Sequence, residues 1–203
     1  IRKIFYRIQI LLELYWNVKY LINFLLKEKM KKVIWFTGLS ASGKTTLANG
    51  LIDFFREQEL SSILIDGDDI RSGLSSDLNF SEDSRYENIR RIAEISKLLL
   101  KQLDCVIVST ISPLESLREA AKKIVGDIHF VLIYVSTPIE TCIERDPKEL
   151  YKKSNAGLIK DLTGMGSKFE TPEKYDFIID TSVKNEKDTL ALLTNFIGNN
   201  LKT

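Results

Sequence analysis

Eight residues, Gly38-Leu39-Ser40-Ala41-Ser42-Gly43-Lys44-Thr45, fit the pattern G-x-x-x-x-G-K-[ST]. They follow the apolar run Lys32 to Thr37 and precede the helix-like Thr46-Leu47-Ala48-Asn49-Gly50-Leu51-Ile52, so the order is strand, phosphate-binding loop, helix. The chemistry needs these residue types. Glycines let backbone N–H groups turn inward, a helix N-terminus favours negative charge, Lys44 reaches terminal phosphates, and Thr45 supplies a hard oxygen for Mg²⁺. The motif predicts binding of a nucleoside triphosphate.

A second cluster reads Leu64-Ile65-Asp66-Gly67-Asp68-Asp69-Ile70-Arg71, an apolar strand ending in three acids and an arginine. Open α/β sheets bind ligands at such carboxyl ends. Asp66 and Asp68 point to the same side if the extended backbone persists, one acting as base and the other near Mg²⁺. A third stretch, Asn79 to Arg91, is a capped helix start. Arg85 in its first turn opposes the helix dipole, which a nearby anion would explain.

These groups need a scaffold. From Lys31 onward, short β-rich runs alternate with helical stretches, the pattern of an α/β parallel sheet covered on both faces. Five strands are expected: Lys32 to Thr37, Ser62 to Asp66, Cys105 to Ser109, His129 to Val135 and Phe177 to Asp180. With 203 residues, 44% of them hydrophobic, the chain can bury one sizeable core. Cys105 and Cys142, the only cysteines, have neither CxxC spacing nor further partners, so they read as reduced core thiols of a cytoplasmic protein. His129, the only histidine, opens an apolar strand and is not expected to do acid/base work.

Residues 1–30 form a separate unit, and residues 31–203 form the catalytic domain. Residues 1 to 32 carry eight Lys/Arg against two acids, a net of +6, while the remainder carries 21 against 26, a net of −5. Ile4, Ile8, Leu11, Tyr15, Val18, Ile22 and Leu25 recur at spacings of four and three, which predicts an amphipathic helix with a partner: its own domain, a homodimer mate or a fused domain, with a membrane surface the sharper alternative. The longest charge-free stretch there, Tyr20 to Leu26, is far short of the about 20 apolar residues of a membrane span. The only basic concentration lies on this apolar helix, which argues against nucleic-acid binding.

The motifs together resemble one family, the adenosine 5′-phosphosulfate (APS) kinases, also called adenylylsulfate kinases, from about Val33 to Thr181. They include the phosphate loop, Asp66-Gly67-Asp68-x-Ile70-Arg71-x-Gly73-Leu74, Asp77-Leu78-x-Phe80-Ser81 and Arg85-x-Glu87-Asn88-Ile89-Arg90-Arg91. Ile111-Ser112-Pro113, Arg145-Asp146-Pro147-Lys148-x-Leu150-Tyr151-Lys152-Lys153, Thr163-Gly164 and Phe169-Glu170 continue the match. The resemblance implies a P-loop kinase fold with sheet order 2-3-1-4-5 and a mobile lid over about residues 147–170. The implied reaction is transfer of the ATP γ-phosphate to the 3′-hydroxyl of APS, with Mg²⁺. It further implies that Gly38 to Thr46 hold the triphosphate, with Arg145 near the ATP base. Asp68 would be the base, with Asp66 close by. Arg71, Arg85 and Asn88 would hold the phosphosulfate, Phe80 and Phe169 would sandwich the APS adenine, and Ile111 would line that pocket. Lys152 and Lys153 would close over the phosphates. The matching Ile-Ser-Pro serine is associated in the family with a phosphoserine. Here Ser112 has no histidine or lysine beside it in sequence, and it reads as a substrate contact.

Some positions depart from the family pattern. Ala41 replaces a loop glycine and would require negative φ. Ser84 replaces aspartate, Asp69 replaces asparagine, and in the lid Asn155, Leu158 and Gly166 replace arginine, glutamate and aspartate. Rival readings are a related kinase for another nucleotide-like anion, such as cytidine diphosphoramidate, and a weakly active nucleotide-binding assembly module. A GTPase is disfavoured because no N-K-x-D motif occurs.

Overall fold

The computed structural model describes residues 8, 9, 11–18 and 30–200. Within them an N-terminal helix, α1 (residues 11–18), precedes the alternation β1 (Lys32–Thr37), α2 (Lys44–Glu57), β2 (Ser62–Asp66), α3 (Gly67–Ser72), α4 (Glu82–Leu99), β3 (Cys105–Ser109), α5 (Glu115–Val125), β4 (Phe130–Val135), α6 (Ile139–Arg145), α7 (Leu150–Asn155), β5 (Phe177–Ile179) and α8 (Glu186–Asn200). All five expected strands are present. β4 starts one residue later than expected, at Phe130, and β5 ends one earlier, at Ile179.

The sheet is parallel throughout, in the order β2-β3-β1-β4-β5. Strand periodicity explains why β1 lies at its centre. Alternate residues of a strand point to opposite faces, and every position from Val33 to Thr37 is buried, so both faces must be covered. Ile34 and Phe36 enter a core with Leu47, Leu51 and Phe55 of α2 and Leu193 and Ile197 of α8. Val33 and Trp35 enter a second core with Ile89 and Ile92 of α4 and Leu117 and Ala121 of α5. The flanking strands divide in the same way, with Ile107 and Ile133 on the first face and Val108 and Leu132 on the second.

The two faces therefore hold the carboxyl edge of the sheet from both sides, and that edge carries the loops after β1, β2, β3 and β4. Cys105 and Cys142 are both buried and unpaired, as expected of core thiols. His129 bonds the Lys31 carbonyl through Nδ1 at 2.6 Å, a structural contact. Of the N-terminal seam, Ile8, Leu11, Tyr15 and Val18 are described and exposed, while Ile4, Ile22 and Leu25 lie outside the described residues. No helix among the described residues is long and apolar enough to cross a membrane.

Because Ile34 is fully buried in the central strand, Ile34→Ala should lower unfolding stability by about 2–5 kcal/mol, read as a lower urea midpoint at unchanged m.

Candidate active site

The phosphate loop is built around close backbone approaches. A Cβ on Gly38, whose φ is +152°, would lie 2.5 Å from the Val135 carbonyl oxygen of β4, so only glycine fits. Behind the loop, the hydroxyls of Thr137 and Thr181 donate to the Ser42 carbonyl at 3.0 and 2.9 Å. Arg145 donates to Thr181 Oγ1 at 2.7 Å and to the Thr181 carbonyl at 2.8 Å. The ends of β4 and β5 thus clamp the loop that leaves β1.

Ala41 sits at φ +59°, which corrects the expectation of a negative value. The left-handed conformation costs an L-residue about 1–2 kcal/mol. Part of that is offset by burial, since Leu39 and Ala41 pack with Tyr151, Leu162, Leu150 and Ile159 of the lid. The Tyr151 hydroxyl also donates to the Ser40 carbonyl at 3.1 Å. The lid rests directly on the phosphate loop.

Lys44 is 8% exposed and donates to the Leu39 carbonyl at 2.6 Å. Burial lowers its ammonium from 10.5 to about 8, outweighing the opposing field of Cys142, Asp66 and Asp68. Thr45 Oγ1 donates to Asp66 Oδ2 at 2.8 Å and lies 3.1 Å from Ser109 Oγ. Thr45 and Asp66 thus present hard oxygens side by side, a donor set that suits Mg²⁺.

Asp66 and Asp68 do not share an extended segment. Asp66 ends β2 and caps α3, accepting the Asp68 N–H at 2.9 Å, so Asp68 stands in the first helical turn instead. Its carboxylate pairs with Lys148, at the start of the lid. That contact raises the Lys148 ammonium.

α3 and α4 contribute further groups to the same cavity. The Arg71 guanidinium lies 4.5 Å from the centre of the Phe80 ring and donates to the Asn79 carbonyl at 2.9 Å. Burial and the neighbouring Arg85 both lower the Arg71 pKa. Arg91 pins the preceding loop, bonding Asp77 Oδ1 at 2.6 Å and the Leu74 carbonyl at 2.8 Å, which fixes where Phe80 projects. Arg85 donates to the Phe80 carbonyl at 2.8 Å, to Thr163 Oγ1 at 3.0 Å and to the Asp161 carbonyl at 2.9 Å. The lid itself thus supplies the oxygens that Arg85 needs. Asn88 is 4% exposed, and its Oδ1 has no hydrogen-bond partner. Such an atom costs about 1–3 kcal/mol until a ligand donor or a half-turn of the amide satisfies it.

A cavity of about 1060 Å³ joins these groups. Its lining includes Lys44, Thr45, Asp66 and Asp68 together with Arg71, Phe80, Arg85 and Asn88, and also Ile111, Ser112 and Arg145. Ser112 has φ +44° and is 1% exposed. Its hydroxyl oxygen accepts from the indole N–H of Trp35 at 2.8 Å, a neutral donor rather than a base.

Of the expected triphosphate residues, Gly38, Leu39 and Ser42 do not line this cavity, and three expected lid residues are placed elsewhere as well. Phe169 lines a separate cavity of about 560 Å³ with Leu39, Tyr134 and Met165, stacked on Tyr134 at 6.1 Å, and does not face Phe80. Lys152 pairs with Glu149 at 2.7 Å, and neither it nor Lys153 lines the main cavity. Conversely, Lys148, Ser109, Thr137 and Thr181 were not singled out from sequence. The last three follow or end strands at the carboxyl edge, where position alone was a signal. Lys148 stood inside a quoted motif without a role.

Comparison with known proteins agrees with this geometry. Residues 30–180 match the family model described as Adenylylsulphate kinase. An adenylyl-sulfate kinase of Buchnera aphidicola from Schizaphis graminum is 47% identical over 161 residues, 79% of this chain and 76% of the relative. One from Pseudomonas aeruginosa is 41% identical over 175 residues, 86% of this chain and 89% of the relative. The structure of the Mycobacterium tuberculosis APS kinase CysC in complex with AMPPNP and APS superimposes with a TM-score of 0.78 at 34% identity, covering 82% of this chain and 97% of that one. A phosphate loop, an oxygen pair beside it and an arginine-aromatic cluster lining the same cavity are thus carried by a sequence similar to such enzymes over residues 30–180, and the chain belongs to the adenylylsulfate kinase family.

Proposed function

We propose that this protein transfers the γ-phosphate of ATP to the 3′-hydroxyl of adenosine 5′-phosphosulfate, giving 3′-phosphoadenosine 5′-phosphosulfate (PAPS) and ADP. The observation that carries the reading is the single cavity in which Lys44, Thr45, Asp66 and Asp68 meet Arg71, Phe80 and Asn88. The phosphate loop receives the triphosphate, and Lys44 turns from the Leu39 carbonyl toward its terminal phosphates. Thr45 and Asp66 would hold Mg²⁺, which when bound supplies positive charge to offset that of the β- and γ-phosphates.

Asp68 accepts the proton of the 3′-hydroxyl as its oxygen bonds to the γ-phosphorus. The bond from that phosphorus to the β–γ bridging oxygen breaks, and ADP leaves. Positioning and electrostatics suffice for such an in-line transfer. The Trp35 hydrogen bond at Ser112 supports a positioning role there rather than a phosphoserine intermediate. Arg71 and Phe80 offer a cation and a π-face to an anionic nucleotide, and the unpaired Asn88 Oδ1 adds a polar contact. Arg85 belongs to the same acceptor side and couples it to the lid through Thr163 and Asp161. The exposed seam residues Leu11, Tyr15 and Val18 support a homodimer formed through the N-terminal helix.

Purified protein with MgATP should release ADP only when APS is added, with PAPS identified by mass in equal amount. Lys44→Ala and Asp68→Ala should each lower kcat by at least about 10³-fold, and near-normal turnover by Asp68→Ala would refute its role as base. Lys44 makes a separate prediction. Its folded pKa of about 8 lies below 10.5, so between those values the unfolded chain binds the extra proton and stability of the free enzyme rises with pH. Triphosphate charge should restore the proton. Calorimetry in buffers of different ionisation enthalpy should therefore find proton uptake on nucleotide binding near pH 8.5 and none near pH 6.5, and loss of the uptake in Lys44→Met. For the assembly, sedimentation should give twice the 23.3 kDa chain mass, falling to one chain in Leu11→Asp/Val18→Asp.

A further inference from the structure

Arg118 has no part in the chemistry described above, yet it is among the largest fully buried side chains, at 1% exposure. A buried guanidinium is costly unless its N–H groups and charge are met. Here they are met by three separate segments. Nη1 donates to the Ser112 carbonyl at 2.7 Å. Nη2 donates to the Glu170 carbonyl at 2.8 Å, and Nη2 and Nε donate to Glu115 Oε2 at 2.5 and 3.2 Å. The guanidinium also lies 5.9 Å from the centre of the Phe169 ring.

Two further bonds close the unit. The Glu115 N–H donates to Glu170 Oε2 at 2.8 Å, and the Glu170 N–H donates to the Pro113 carbonyl at 2.7 Å. The Ser112 turn, the last residues of the lid and the start of α5 are thereby locked together around one planar cation. The turn is strained, with φ +44° at Ser112, and such a conformation persists only where its surroundings over-determine it. Its neighbours Ile111 and Pro113 line the main cavity.

We propose that Arg118 is a positioning residue for the acceptor nucleotide: by holding the Ser112 carbonyl and the Glu170 carbonyl at once, it sets the acceptor-side wall and ties the end of the lid to it. The inference rests on the acceptor reading of this cavity given above. None of the groups bonded to Arg118 belongs to the phosphate loop; the turn meets that loop through Thr37 Oγ1 and the Gly38 N–H, which donate to the Ile111 carbonyl at 2.7 and 3.4 Å, so the effect of Arg118 reaches the acceptor directly and ATP only through these contacts. Lysine cannot replace it, because one ammonium cannot span both carbonyls and the carboxylate in the planar fork that arginine provides.

The test is steady-state kinetics of Arg118→Lys with each substrate varied in turn. The expected result is a KM for APS raised about tenfold, with the KM for ATP within about twofold of wild type. A folded variant with unchanged KM for APS, or with both KM values raised alike, would overturn the proposal. If Arg118→Lys fails to fold, Glu115→Gln, which keeps an acceptor but removes the charge, carries the same test with an expected rise of about threefold in the KM for APS alone. Wild type is assayed first. Absence of PAPS there would bring down the acceptor reading and this inference with it, whereas an active wild type with unaltered variants would bring down this inference alone.

Discussion

Everything at this site depends on how closely the backbone after β1 can pass the end of β4. With Val135 O only 2.5 Å from where a Cβ at residue 38 would lie, the chain turns at once from a buried strand into a loop that runs straight into helix α2, which starts at Lys44. That turn aims the N-terminus of α2 along the carboxyl edge of the sheet, the direction in which a helix dipole attracts anions. The clamp from Thr137 and Thr181 onto the Ser42 carbonyl then fixes the loop from behind. Both apolar faces of the sheet serve this geometry, since they make β1 and β4 too well packed to yield.

Around that rigid centre, the contacts that define the acceptor wall are of another kind. They are hydrogen bonds and ring contacts between loops: Arg71 on Phe80, Arg91 on Asp77, Arg85 on the lid, Arg118 on Ser112 and Glu170. Apolar packing holds the lid at one end, through Tyr151 and Leu162 against Leu39 and Ala41, and polar bonds hold it at the other. The donor side is thus anchored by the core, whereas the acceptor side is assembled from arginines reaching between segments.

This difference explains what could be read from the sequence. The strands were legible because period-2 burial leaves continuous apolar runs, as in Val33 to Phe36, and the sheet order agrees with the family resemblance. The phosphate loop was legible because its glycines are demanded by local backbone geometry. The relative placement of Asp66 and Asp68 was not, because it turned on whether α3 begins at Gly67 or later, and Asp66 settles that by capping the helix with its own side chain. Ala41 was misjudged for the opposite reason: local preference disfavours its φ, but contact with the lid, distant in sequence, holds it there. Phe169 and Arg118 depend on how the lid returns to α5, a pairing of residues about 50 positions apart for which no local pattern exists.

Gly166 constrains which side chains the lid can carry. The family pattern has an aspartate there, but a Cβ at this position would fall 1.7 Å from the Lys160 carbonyl oxygen. No side chain of any size fits, so the segment from 160 to 166 follows a path open only to glycine. Once such a path is adopted, reversal by one substitution is blocked: restoring the acid would require residues 160 and 161 to move as well. An aspartate at 166 is therefore incompatible with this lid as it is folded.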